Sequence, residues 1–305
     1  MQVPLAVGEN LTIQKNRITG TGADSGKRIC IVTGTHGDEL EGQYVAWKLA
    51  RILQEKPEHL HGTVDIYPAL NPLGISTMTR GMPLCDLDMN RTFPGSERGS
   101  LSEFVAARII DDLTGADVCI DIHASNIFLR EIPQVRINVQ TAEKLVPLAE
   151  YLGMDLIWIH AAATVLESTL AHSLNAVDTP TLVVEMGVGM RVTRTYGDRL
   201  LGGILSLMAH LGMWDAPVSP VARPIISSDG HVSFINASCP GIFLPSSRHS
   251  DHVEEGQELG VIADPLTGEI HETVKSPAAG LLFTLREYPV VYEGSLIARI
   301  LGGSL

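Results

Sequence analysis

Between residues 28 and 213, short runs rich in valine and isoleucine alternate with longer stretches of helical periodicity, and this alternation limits the fold more than any other feature. The strand candidates are residues 28–33, 63–68, 117–122, 135–139, 155–159 and 181–185, apolar along most of their length. A half-solvated strand alternates apolar with polar residues, whereas a continuous apolar run suits a strand covered on both faces. Helical patterns occupy 41–54, 101–113, 142–152, 166–175 and 197–211, and Ser100 with Glu103 have capping-box spacing at the second start. Alternating strands and helices predict an α/β layer architecture, with ligands gathered at the carboxyl ends of the strands.

The pattern changes at Trp214. Residues 216–220, Ala-Pro-Val-Ser-Pro, read as a linker, which divides the chain into domains 1–216 and 217–305. The second is composed of short β runs separated by Gly, Pro and Asp, with no convincing helix. Two pieces look like copies of one unit: Gly241-Ile242-Phe243 leading to Gly256, and Gly280-Leu281-Leu282 leading to Gly294, with Gly-to-Gly separations of 15 and 14 residues. This tail resembles the barrel-sandwich hybrid of biotinyl and lipoyl domains. Those carry a modified lysine at a hairpin tip; here the tip, residues 263–268, has none, so a swinging arm is not expected.

The formal charge of −13 argues against nucleic acid as a partner, since most of the surface would repel a polyanion. No apolar run reaches the roughly 18 residues that span a bilayer, so no membrane partner is expected. The start of the chain lacks the basic-then-apolar pattern of a secretory signal. Cys30, Cys85, Cys119 and Cys239 are scattered and form no CxxC pair. They read as reduced thiols of a cytoplasmic protein. The sequence does not reveal the oligomeric state, and a homo-oligomer is compatible with it.

Thr35-His36-Gly37-Asp38-Glu39-Leu40-Glu41-Gly42 follows directly on the first apolar strand. His36 and Glu39 lie three apart at a strand-to-helix turn, so both side chains can face one point. HxxE alone is a weak signal. Asp121-Ile122-His123, at the end of another strand, supplies a third ligand. Two histidines and a glutamate make an open zinc site with a position left for water. Asp121 can share the face of His123 and support it, or be a plain strand-end carboxylate; both readings stand. Glu185 ends the apolar run Thr181-Leu182-Val183-Val184; a carboxylate buried near a metal suits a general base, and a plain strand-terminal carboxylate is the other reading. A long, turn-rich connection carries Asn71-Pro72, Thr79-Arg80 and Asp88-Met89-Asn90-Arg91. Arginines there can recognise a carboxylate or stabilise an oxyanion, or can be surface residues paired with Asp86 and Asp88.

In this order the HGDE, NP, TR, DMNR, DIHAS and VEMG segments and the sandwich tail resemble the succinylglutamate desuccinylase/aspartoacylase family of the zinc carboxypeptidase superfamily. The resemblance implies a mixed sheet with helices on both faces and a small all-β tail. It implies one zinc per chain held by His36, Glu39 and His123, Glu185 as general base, and Arg80 stabilising the oxyanion. Asn90 and Arg91 would hold the carboxylate of a small N-acyl amino acid whose amide bond is hydrolysed. Two departures stand out: Gly-Met-Pro-Leu-Cys (81–85) lengthens the connection before Asp86, and neither Tyr288 nor Tyr292 aligns securely with the tail tyrosine of aspartoacylase. The bacterial deacylase branch, with its N-acetyl-diaminobutyrate deacetylase, looks closer. A carboxypeptidase of short peptides and a catalytically silent binding protein are the alternatives. His59, His61, His249 and His252 read as turn or loop residues, and His172 as a helix residue with the pocket as its other option.

Overall fold

The computed structural model describes residues 1–160, 167–228 and 231–302. A small pair, β1 (Gln2–Pro4) and β2 (Asn10–Thr12), precedes the edge strand β3 (Asn16–Thr19). The body then runs β4 (Arg28–Thr33), α1 (Glu41–Glu55), β5 (Thr63–Tyr67), α2 (Pro72–Thr77), α3 (Leu101–Leu113), β6 (Val118–His123), β7 (Leu129–Asn138), α4 (Ala142–Ala149), β8 (Leu156–His160), α5 (Leu170–Ala176), β9 (Thr181–Gly187) and α6 (Arg194–His210). No helix among the described residues is long and apolar enough to cross a membrane.

β5, β4, β6 and β9 lie side by side and parallel, with β3 antiparallel at one edge and β7 antiparallel at the other. The sheet is thus mixed, with helices on both faces, as the sequence predicts. The two-residue pleat assigns the faces. Ile29, Ile31, Ile120 and Ile122 pack with Val45 and Leu49 of α1 and Ile204 and Leu207 of α6. Cys30, Val32 and Cys119 point the other way, onto Val105 and Ile109 of α3 and Leu174 of α5. Burial on both faces explains the unbroken apolar runs. After β4 the chain goes to β5 on one side and then to β6 on the other, so a crevice opens at the carboxyl ends of β4 and β6.

Several elements differ from expectation, among them α6, which starts at Arg194 rather than 197, and α2, in a segment read as turns. β7 begins at Leu129 rather than 135, because Pro133 and the charges around it hide its start; the ladder is irregular between Glu131 and Gln134. The helix expected over 142–152 ends at Ala149 and tightens into a 3₁₀ turn, Glu150–Leu152. α5 starts at Leu170, where Thr169 caps it through the His172 amide; position 166 lies outside the described residues. The capping box at Ser100 and Glu103 is formed as expected.

The tail adds β10 (Ile225–Ser228), β11 (Val232–Asn236), β12 (Gly241–Pro245), β13 (His252–Val253), β14 (Glu258–Ala263), β15 (Ile270–Lys275), β16 (Gly280–Arg286), β17 (Val290–Val291) and β18 (Leu296–Gly302). The two sequence copies exchange strands: Gly241 pairs with Val291, and Val253 pairs with Gly280. Gly256 and Gly294, the matching turn glycines, hold φ +79 and +81, a conformation that favours glycine. Phe243, Leu259, Ile262, Leu282, Ile297 and Ile300 fill the space between the halves. The large sheet also runs across residue 216. β10 pairs with β8, and β16 pairs with the first half of β7, so that Thr284 faces Glu131. Phe283 then packs edge-on against Trp158 of the body, at 5.6 Å between rings.

Candidate metal centre and its cavity

The loop leaving β4 turns at once into α1, carrying His36 and Glu39 over the end of the sheet. Gly37 permits this path: a Cβ there would lie 2.0 Å from the Gly74 carbonyl carbon and 2.4 Å from the Thr79 oxygen. The close approach sets Arg80 beside the loop. β6 delivers His123 from the neighbouring strand end. His36, Glu39 and His123 are 2%, 4% and 3% exposed, and their ligand atoms all lie within 4.8 Å of one another.

Both imidazoles present Nδ1 to Glu39. His36 Nδ1 is 2.7 Å from Oε1, and His123 Nδ1 is 2.9 Å from Oε2. The first contact is too poorly aligned to be a hydrogen bond and leaves a buried nitrogen unpartnered. Atoms that converge on a shared third point have that geometry, and two imidazole nitrogens with a carboxylate are a donor set divalent metals accept. The Nε2 atoms turn outward to carboxylates: Asp88 Oδ1 is hydrogen-bonded to His36 at 2.9 Å, whereas Asp121 Oδ2 lies 3.1 Å from His123 without hydrogen-bond alignment. Such partners fix ring orientation and raise ligand basicity.

Electrostatics follow from this packing. Burial disfavours the Glu39 carboxylate, but attraction by His36 and His123 outweighs it and holds the carboxyl below its usual range. Burial likewise opposes charge on His123, yet Asp121 and Glu39 push its pKa well above the ordinary value. Arg80 donates to Glu39 Oε1 at 2.9 Å and lies 3.4 Å from Asp88.

Glu185 is the register partner of His123 across β6 and β9. Burial pushes its carboxyl up to about 7, with Arg136, 3.4 Å away, opposing that rise. Arg136 also bonds Glu131, whose other oxygen takes Arg299 of β18 at 2.7 Å; both guanidiniums stack over Trp158. Asn90 is tied to α5, its Oδ1 accepting from the Leu170 amide at 2.9 Å. Arg91 is exposed, donates to the Asn90 carbonyl, and forms no ion pair among the described residues.

All seven residues singled out in the sequence line one cavity of about 410 Å³. His172 lines it too, whereas His59 and His61 grip Asp215 far from it. Tyr288 and Tyr292 do not line it; Tyr288 packs edge-on against Phe128, 5.7 Å away. Among the described residues of the tail, Arg299 reaches the cavity. Sequence reading missed Asp88 as the partner of His36, and missed Glu131, Arg136 and Arg299 altogether. The available signal for Glu131 and Arg136 was a set of charges inside an otherwise buried strand, β7; Arg299 lies on β18.

Residues 25–211 match the succinylglutamate desuccinylase/aspartoacylase catalytic domain. The chain belongs to this family. Among family relatives, it is 25% identical to the N-alpha-acetyl-L-2,4-diaminobutyric acid deacetylase of Halomonas elongata over 90% of this chain and 78% of the relative. A succinylglutamate desuccinylase/aspartoacylase structure from Rhodobacter sphaeroides superposes over 100% of this chain and 94% of its own, at TM-score 0.83 and 22% identity. The product-bound ectoine utilization protein EutE (DoeB) from Ruegeria pomeroyi does so over the same shares, at TM-score 0.86 and 19% identity. The family fold therefore includes the β tail.

Proposed function

We propose that the protein is a zinc-dependent deacylase that hydrolyses the amide bond of a small N-acyl amino acid. The observation that carries this reading is the convergence, in one cavity, of the His36–Glu39–His123 group with Glu185, Arg80 and Arg91. A zinc ion held by that group would lower the pKa of a water molecule and polarise the scissile carbonyl. Glu185 takes the proton of the attacking water and returns it to the leaving amine, a task suited to a carboxyl poised near 7. Arg80 stabilises the oxygen that gains charge. Arg91, which forms no ion pair among the described residues, clamps the substrate carboxylate beside Asn90. Family membership and the deacetylase relative support the same chemistry.

The test is a panel of N-acyl amino acids and matched dipeptides assayed with protein carrying one zinc per chain. Hydrolysis of the N-acyl amino acids in preference to the dipeptides is expected. Turnover of dipeptides alone would make it a carboxypeptidase, and turnover of neither would leave a binding protein.

A further inference from the structure

Resting on the deacylase reading above, we propose that Arg136 is a positioning residue that orients the Glu185 carboxylate. The tail enters the reaction by supplying Arg299, which holds Arg136 in place through Glu131.

The backbone brings these groups together. Glu185 lies opposite Gln134 in the β7–β9 ladder, and Arg136 stands two residues further along the same face of β7. Glu131 is five residues from Arg136, an odd separation that would put it on the opposite face of a regular strand. The irregularity between Glu131 and Gln134 changes that phase, and Glu131 Oε2 accepts hydrogen bonds from both Gln134 and Arg136. From the other side, Arg299, Thr284 and Glu131 form one rung across β18, β16 and β7. The ends of that rung are two strand spacings, about 10 Å, apart. Arg299 spans them and donates to Glu131 Oε1 at 2.7 Å.

Each oxygen of Glu131 thus has its own guanidinium. The Arg136 fork is divided between two acids: Nη2 donates to Glu131, and Nη1 lies 3.4 Å from Glu185 Oε1. Trp158, the register partner of Arg136 on β8, lies against both guanidiniums, 5.4 and 5.5 Å from its ring, and Phe234 of β11 flanks Arg299 at 5.5 Å. Aromatic rings hold a planar fork in one orientation. The last torsion of a glutamate is broad, so a cation fixed at Oε1 defines where the second oxygen can meet the attacking water. Arg299 matters because a buried carboxylate needs a partner. With Arg299 gone, Nη1 of Arg136 would turn from Glu185 to Oε1 of Glu131 and complete a two-pronged pair there.

The test uses zinc-loaded full-length protein and an N-acyl amino acid that it hydrolyses. Arg136→Met and Arg299→Met should each lower kcat by at least about tenfold with zinc retained, because small displacements of a reacting group cost up to about 10²-fold. KM should move by less than about threefold. Lysine should rescue one site and not the other. Arg299→Lys keeps a point charge on Glu131 and should stay within about threefold of the unaltered kcat, whereas Arg136→Lys cannot span two carboxylates and should lose at least about tenfold. In single-turnover assays on the Glu185→Gln background, Arg136→Met should cost less than about twofold more, since it acts through a carboxylate that is no longer there. The full loss repeated on that background, a raised KM with kcat kept, or unchanged kcat in Arg299→Met overturns the inference. If a methionine variant does not fold, the lysine pair decides, and equal kcat in the two overturns the inference. Inactivity of the unaltered protein is a separate result, which overturns the deacylase reading itself.

Discussion

His123 and Glu185 are register partners on adjacent parallel strands, so one hydrogen-bonded ladder fixes the distance between a candidate metal ligand and the carboxylate beside it. A strand pair buried on both faces is a rigid mount.

Replacing Glu185 by Gln keeps the shape and removes the base. In this variant kcat should fall by about 10²- to 10⁴-fold while zinc content stays at one per chain. Steady-state kinetics with metal analysis checks this. Zinc loss in the variant would instead place Glu185 among the ligands.

Arg91 is assigned to binding and Arg80 to the reacting oxygen, and kinetics separates such roles. Arg91→Ala should raise KM more than tenfold, by the loss of a bidentate contact, with a smaller change in kcat. Arg80→Ala should lower kcat by about 10²- to 10³-fold. Equal effects on both parameters in both variants would contradict the division.

Asp88 is hydrogen-bonded to His36 Nε2, and Asp121 lies 3.1 Å from His123 Nε2. Asp121→Asn and Asp88→Asn should each weaken zinc binding by about 10- to 100-fold, read by competition with a chromophoric chelator. Unchanged affinity would reduce both residues to packing.

Far from the cavity, Asp65 is fully buried and accepts a two-pronged contact from Arg17 at 2.7 Å on each oxygen, with Lys15 and Arg28 at 3.5 and 3.4 Å. Burial opposes its charge, but these cations hold its carboxyl below the ordinary value, and Asp112 is also lowered. The folded state thus keeps these groups ionised at a pH where the unfolded chain binds protons. The stabilisation is complete above the unfolded value of about 3.9 and is lost as pH falls through the folded value. Urea titrations from about pH 7 downward should show a steep loss below about pH 4. In Asp65→Asn the neutral-pH stability should drop by about 3 kcal/mol and the acid slope should flatten.

Much of this molecule was legible in its sequence, for identifiable physical reasons. β4, β6 and β9 are covered on both faces, so they read as unbroken apolar runs, and His36, His123 and Glu185 stand at or just beyond their carboxyl ends. Those residues announce themselves as polar groups where apolar runs stop. β7 starts earlier than its apolar run because it borders a cavity on one face and joins the tail through Thr284 and Glu131; its Arg130, Glu131, Gln134 and Arg136 break the pattern. Asp88 and His36 lie 52 positions apart in an irregular loop, a pairing that no local period encodes. Arg299 reaches the cavity only because the tail sheet is hydrogen-bonded to the body, a relation between distant segments.

Metal-dependent hydrolysis can be measured by titrating zinc into chelator-treated protein while following release of free amine from an N-acyl amino acid. Activity should be near zero without metal and should rise linearly to a plateau at one zinc per chain. Hydrolysis that persists without zinc, or its absence at full occupancy, would contradict the account.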